Sequence, residues 1–329
     1  MEINREYTVA LITGGRGYER YVSLLGGENL RPKIEKKFRC LNIIIEKDGR
    51  WLYDGREIFP FLISGVGGFY AKERDVLYVV ACAFPLLHGD YGEDGVVQGA
   101  LENAGIAYVG CDVSAGAICC DKAVVKAVAS HLGIPTLPCV TLKQGEDAEA
   151  KLKDLPFPLF VKPRGLGSSM GAGRANDKGE LKGRINEAFV FSDRVIIEPC
   201  LTEKREIELA YLGASGREIF THPGQILTEG FYDYKSKYTP SAVGTEAAAD
   251  ISPKIAEMIK DYARKIIDFL HIRNICRVDF FLSGEKIYLN EINTLPGMTK
   301  TSMYEAMLKR VGISGEEMAE LLIREAMNR

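Results

Sequence analysis

RVDFFLSGEKIYLNEINTLPGMTKTS, residues 277–302, reads as two short strands around a turn, followed by a loop. Side chains in a strand repeat every two residues. Arg277, Asp279 and Phe281 therefore share one face of the first strand, and Leu289, Glu291 and Asn293 share one face of the second. A three-residue loop, Gly284-Glu285-Lys286, sets Asp279 opposite Glu291. Two facing carboxylates repel unless a cation lies between them, and Asn293 adds a neutral oxygen beside them. An oxygen-only set of this kind suits Mg²⁺ better than Zn²⁺. Taken alone, the pattern also fits a solvated surface hairpin. The apolar neighbours Phe280, Ile287 and Ile292 favour a partly buried site.

Upstream, residues 7–13 form a short apolar strand that enters Gly14-Gly15, and a helix begins within ERYVSLLGGENL. Strand, glycine turn and helix open many small-ligand α/β domains. Residues 75–87 read as one near-continuous apolar strand of a buried parallel sheet. It ends in HGDYGEDG, 88–95, at the strand end where open α/β sheets bind ligands. A helix follows at 96–103, then a short strand at 107–110, where the first domain closes.

DKAVVKAVASHLGIP starts a helix at Asp121 that Gly133 and Pro135 terminate. A strand at 159–162 runs into KPRGLGSSMGAG, 162–173. That loop has the glycines and hydroxyls of an anion nest, with Lys162 as an adjacent cation. It is neither a Walker A loop nor a dinucleotide fingerprint, and alone it equals a glycine-rich turn. Strands follow at 195–198 and 206–212. Residues 221–244 are long and irregular, which marks a lid or binding element. Within them YDYKSKY, 232–238, alternates in a way that also fits an edge strand. An amphipathic helix spans 253–270, with Ile255, Ile259, Tyr262, Ile266 and Phe269 on one face, and a last helix spans 315–327.

A chain of 329 residues predicts two or three domains. A net charge of −3 and a pI near 6.0 give no electrostatic case for nucleic acid or an anionic membrane. The eight cysteines show no CxxC spacing, and the N-terminus has no signal-peptide core, so a reduced cytoplasmic protein is expected. Four scattered histidines without HExxH argue against zinc.

The order of these features resembles the ATP-grasp enzymes. LLHGDYGEDGVVQGALE (86–102), FVKPRGLGSSMG (160–171), YDYKSKY (232–238) and RVDFFL…LNEINTLPGMTKTS (277–302) resemble more closely the D-alanine:D-alanine ligases, over nearly the whole chain. The resemblance implies an α/β (α+β) ATP-grasp fold of three domains. These are a Rossmann-like preATP-grasp domain at 1–112, a central subdomain at 113–200, and a C-terminal subdomain at 201–329 with a lid near 228–246. It implies a cytoplasmic homodimer that binds ATP and two D-alanines for peptidoglycan synthesis.

By the same resemblance, Lys122, Lys162 and Lys237 meet the ATP phosphates. Glu198 and Leu201 hold the adenine, and Glu206 the ribose. Asp279, Glu291 and Asn293 bind two Mg²⁺ ions, with Mn²⁺ as the alternative. His88 and Glu93 lie near the first D-alanine, and Glu19 holds its ammonium. Ser302 and Met303 line the second D-alanine site. Arg277 and the Gly297 N–H stabilise the oxyanion, and Glu19, Ser168 and Tyr238 match a hydrogen-bonded triad. Leu166 and the first loop, GGRGYERYVS, depart from the family pattern. Two alternatives stand beside this reading: a ligase taking D-serine or D-lactate second, and an ATP-binding protein without turnover.

Overall fold

Three β-sheets follow one another along the sequence. The structure, a computed structural model, describes residues 7–167, 170–227 and 244–328. Ser168, Lys237 and Tyr238 lie outside the described residues, as does most of the segment read as a lid.

The first sheet contains β1 (Thr8–Gly14), β2 (Arg39–Ile45), β3 (Trp51–Tyr53), β4 (Arg56–Ile63), β5 (Val66–Ala71), β6 (Val76–Val79) and β7 (Cys82–Pro85), ordered β6-β5-β4-β3-β2-β1-β7. β1 lies parallel to both β2 and β7. Val9, Ala10, Leu11 and Ile12 are all fully buried, as expected of a central strand covered on both faces. Helix α1 (Arg20–Ile34) crosses from β1 to β2 and buries Val22, Leu30 and Ile34. The apolar run 75–87 is not one strand. It divides into β6, which pairs with β5, and β7, which pairs with β1; the break falls at 80–81, where the Ala81 N–H donates to the Thr8 carbonyl. Residues 107–110 give only a single bridge, Tyr108 to Ala83, rather than a strand.

Helix α2 (Val96–Asn103) follows, then α3 (Val113–Cys120) and α4 (Lys122–His131), with Asp112 and Asp121 capping the last two. The second sheet, β8 (Val140–Lys143), β9 (Leu159–Pro163), β10 (Gly173–Ala175) and β11 (Arg194–Pro199), is antiparallel in the order β10-β9-β11-β8. It carries α5 (Ala148–Leu152) and α6 (Lys178–Phe189).

The third sheet joins β12 (Arg205–Ala214), β13 (Arg217–Phe220), β14 (Gly224–Leu227), β15 (Gly244–Glu246), β16 (Ile275–Ser283) and β17 (Lys286–Asn293). Helix α7 (Pro253–Phe269) starts at a Ser252 cap with proline in its first turn. Its buried stripe is Ile255, Ile259, Ala263 and Ile266, whereas Phe269 is exposed and leaves the expected face. The stripe shares a core with Ile207, Leu209, Val278 and Phe280, and with Val125 and Ala129 of α4. Helices α8 (Met303–Arg310) and α9 (Gly315–Met327) close the chain. Met318, Leu322 and Ile323 of α9 share one core with Val9 and Phe84 of the first sheet and Leu212 of the third. The first and third sheets thus share one hydrophobic core.

Candidate active site

The β16–β17 hairpin has the anticipated register for a different reason. Ser283 pairs with Lys286, so the turn is the two-residue Gly284-Glu285 rather than a three-residue loop. A bulge between the Asp279 and Phe280 rungs then inserts Asn290 and restores Asp279 opposite Glu291. The bulge breaks the expected alternation. Leu289 faces the core with Ile287, and Phe280 and Phe281 both border the cleft.

The two carboxylates do not face each other bare. Arg277 donates to Asp279 through Nε and Nη2, each at 2.7 Å, in a bidentate pair. Asn293 Nδ2 donates to the same carboxylate at 2.9 Å. Lys122 Nζ stands 3.2 Å from Glu291 Oε2. Burial opposes the Lys122 charge, but Glu291 and neighbouring acids hold its pKa above the ordinary value. Protein cations thus contact both carboxylates, Arg277 at Asp279 and Lys122 at Glu291. Glu208 adds a third carboxylate, 3.3 Å from Arg277 Nη2, and pairs with Asp279 across β12 and β16. Its signal in the sequence was the i, i+2 spacing from Glu206, which puts both acids on one face.

Lys162 leaves β9 toward the cleft and is nearly buried. Its Nζ lies 2.7 Å from Glu198 Oε1 and 3.2 Å from Asn290 Oδ1, the bulge residue. The other oxygen of Glu198 lies 3.0 Å from Lys126 Nζ. Burial of Glu198 favours its neutral form, yet the two lysines overcome this and keep it ionised. The Glu198 carboxylate thus positions two lysines, and Glu198, Pro199, Cys200 and Leu201 all line the same cleft. Glu206 pairs with Lys204 at 2.8 Å, and that ammonium sits 3.9 Å from the Phe281 ring centre. Lys122 also donates to the Leu166 carbonyl at 2.8 Å, so the backbone of this residue of the glycine-rich loop fixes the lysine at the cleft.

A second pocket opens beside the cleft. Glu19 stands at the N-cap position of α1 without a side-chain capping bond, and a Cβ on Gly89 would come 2.9 Å from its Oε2, one on Gly167 3.2 Å. Both loops close tightly on this carboxylate, and at Gly89 a positive φ of 67° further favours glycine. His88 Nε2 is buried without a hydrogen-bond partner among the described residues, and burial lowers the imidazole pKa. Glu93 accepts from the Gly89 N–H at 3.0 Å and the Leu295 N–H at 3.2 Å, and burial pushes its pKa up to about 7. The 295–302 loop is held to α1 by Asn29, which donates to the Met298 carbonyl at 2.8 Å. Gly297 and Ser302 line the pocket, with the Ser302 hydroxyl accepting from the Thr299 N–H at 2.9 Å. Met303 closes it as an apolar wall.

Cleft and pocket meet: Gly167, Glu208, Arg277 and Glu291 line both. Lysines on one side, acids and an arginine at the junction, and an amino-acid-sized pocket beyond define an ATP-grasp protein. The family model for the N-terminus of D-ala D-ala ligases matches residues 8–111, and that for the C-terminus matches 128–324. The D-alanine–D-alanine ligase of Lactococcus lactis subsp. cremoris is 34% identical over 336 residues, covering 96% of this chain and 95% of its own. That of Treponema denticola is 34% identical, covering 98% and 96%. The solved D-alanine–D-alanine ligase of Coxiella burnetii superposes with a TM-score of 0.86 at 29% identity, covering 98% of this chain and 94% of that one. The VanG D-Ala:D-Ser ligase of Enterococcus faecalis gives 0.84 at 33% identity, covering 97% and 99%. The chain belongs to the D-alanine–D-alanine ligase family.

Proposed function

We propose that this chain joins two D-alanines into D-alanyl-D-alanine, converting ATP to ADP and phosphate, for peptidoglycan precursor synthesis in the cytoplasm. The observation that carries the reading is the shared wall of cleft and pocket at Arg277, Glu291 and Glu208. A phosphoryl group from the cleft and a carboxylate from the pocket meet only there.

ATP lies with its adenine along Pro199–Leu201, its ribose at Glu206, and its phosphates at Lys122 and Lys162. Lys237, outside the described residues, is the third phosphate lysine by resemblance. Asp279, Glu291 and Asn293 offer adjacent oxygens and no sulfur or imidazole, a set that fits Mg²⁺. Mn²⁺ is an alternative. Bound there, Mg²⁺ neutralises charge on the transferring phosphoryl group. A carboxylate is a poor acyl donor, so the first D-alanine is activated as an acyl phosphate. Glu19 holds its ammonium, with His88 and Glu93 alongside. The second D-alanine sits against Ser302 and Met303, and its amine attacks the activated carbonyl. Arg277 and the Gly297 N–H face the developing oxyanion. By resemblance, Glu19 together with Ser168 and Tyr238, both outside the described residues, is the triad through which the amine loses its proton. The subdomain bounds in this reading are 1–112, 113–200 and 201–329, and the working unit is a homodimer.

Phosphate release from ATP tests this reading. It should require D-alanine and be absent with L-alanine or with no amino acid. ATP turnover indifferent to D-alanine contradicts it. A D-serine product is the second reading, and Met303 weighs against it. An uncharged, apolar residue suits the methyl of D-alanine and supplies no hydrogen bond to a hydroxyl.

A further inference from the structure

Lys126 has no place in the mechanism above, yet it is one of the most buried cations of the protein, 4% exposed. Lysines are almost never buried this completely without a partner and a reason. It sits one helical turn beyond Lys122 on α4, on the same side of the helix. Its ammonium makes two polar contacts: the Leu137 carbonyl at 3.3 Å and Glu198 Oε2 at 3.0 Å. The second oxygen of that carboxylate holds Lys162 at 2.7 Å. Lys162 and Glu198 lie on one face of adjacent antiparallel strands, since Lys162 pairs with Ile196 and Glu198 is two residues on. Three charges thus form a closed buried row, Lys126, Glu198, Lys162, with only Lys162 reaching on to Asn290 at the cleft.

The charge balance gives the row its purpose. A Glu198–Lys162 pair alone is neutral, and a neutral pair attracts a phosphate weakly. With Lys126 on the far oxygen, the row carries a net charge of +1 behind the phosphate site. We propose that Lys126 is a positioning residue for the nucleotide phosphates: it holds the far side of Glu198, so that Lys162 is fixed in place and keeps an uncompensated positive charge for them. The proposal rests on the reading that Lys162 meets the phosphates.

Calorimetric binding of ADP and of adenosine to the full-length protein, both with Mg²⁺, tests it. Adenosine lacks phosphates, so the ratio of the two Kd values isolates their share. Removing a unit charge this close, in an effective dielectric near 20, corresponds to at least about a tenfold change. Lys126→Met should reduce the preference for ADP about tenfold, and Lys126→Arg should retain it. Glu198→Gln should raise the preference, and adding Lys126→Met to Glu198→Gln should lower it again by about tenfold. That double variant removes one buried charge of each sign and leaves the row at the parent's net charge of +1, which keeps the comparison usable where Lys126→Met alone folds poorly. Equal losses for ADP and adenosine, or an unchanged ratio in the double variant, would overturn the proposal by making Lys126 a packing residue only. Lys162→Met serves as the reference. If it leaves the ratio unchanged, the phosphate role of Lys162 fails first and the role of Lys126 with it. If it lowers the ratio while Lys126→Met does not, only the Lys126 proposal fails.

Discussion

Asp279→Asn separates two accounts of the central hairpin. If Asp279 and Glu291 repelled each other across the strands, removing one charge would stabilise the protein without metal. The structure argues the reverse. Asp279 takes both arms of the Arg277 fork at 2.7 Å and a third bond from Asn293 at 2.9 Å. Its side chain is 12% exposed and that of Arg277 is 19% exposed. Breaking a buried pair by removing one partner typically costs about 3–5 kcal/mol. Arg277 keeps Glu208 at 3.3 Å, which offsets part of that loss. The expected cost is about 2–3 kcal/mol, or an apparent Tm lower by about 5 °C for a chain of this size. Differential scanning fluorimetry with chelator, then with Mg-ADP, measures both consequences. The variant should melt lower than the parent with chelator, and should lose most of the Mg-ADP shift. A variant that melts at or above the parent temperature with chelator refutes the pairing argument. An undiminished Mg-ADP shift refutes Asp279 as a metal ligand.

Three further outcomes follow from the same geometry. Arg277→Lys removes the bidentate fork while keeping the charge, so kcat should fall about 10²-fold with little change in the KM for ATP; a KM effect alone would place Arg277 in nucleotide binding. Glu93 has a folded pKa of about 7 against an ordinary 4.5. The native state therefore holds a proton that the unfolded chain has released, and this stability, about 3 kcal/mol, is present below pH 4.5 and lost as pH rises through 7. Tm against pH should show that decline in the parent and a flatter curve in Glu93→Gln, and parallel curves would disprove the raised pKa. In a competition of D-alanine, D-serine and D-lactate at equal concentration, mass spectrometry should find D-Ala-D-Ala dominant and D-Ala-D-Ser lower by about 10²-fold. Dominant D-Ala-D-Ser or depsipeptide would overturn the role given to Met303.

Local pattern carried much of the fold. The helix from Gly315 to Met327, the Asp121 cap and strands β9, β11 and β12 follow from periodicity and capping residues within a few positions. The failures have non-local causes. The apolar run 75–87 is uniformly hydrophobic whether it forms one strand or two, and only sheet order divides it. The bulge at Asn290 has no sequence marker such as glycine, so the Asp279–Glu291 pairing was anticipated through the wrong loop length. At the site, the long motifs pointed to residues that line the cleft and the adjoining pocket. Their partners were hidden, because Lys126 with Glu198 and Lys122 with Glu291 join residues 72 and 169 positions apart. Lys126 in particular looks like a solvated helix charge until the tertiary structure buries it.

Isotope transfer tests the central claim, that a D-alanine carboxylate takes the γ-phosphoryl group where cleft and pocket meet. The protein would be incubated with ATP, Mg²⁺ and D-alanine labelled with ¹⁸O at both carboxylate oxygens. Attack of a labelled oxygen on phosphorus, followed by amine attack on the carbonyl, leaves that oxygen in the released phosphate. One ¹⁸O per phosphate, in equal amount to the dipeptide formed, is the predicted result. Dipeptide accompanied by unlabelled phosphate would contradict an acyl phosphate and the arrangement of Arg277, Glu291 and the lysines derived from it.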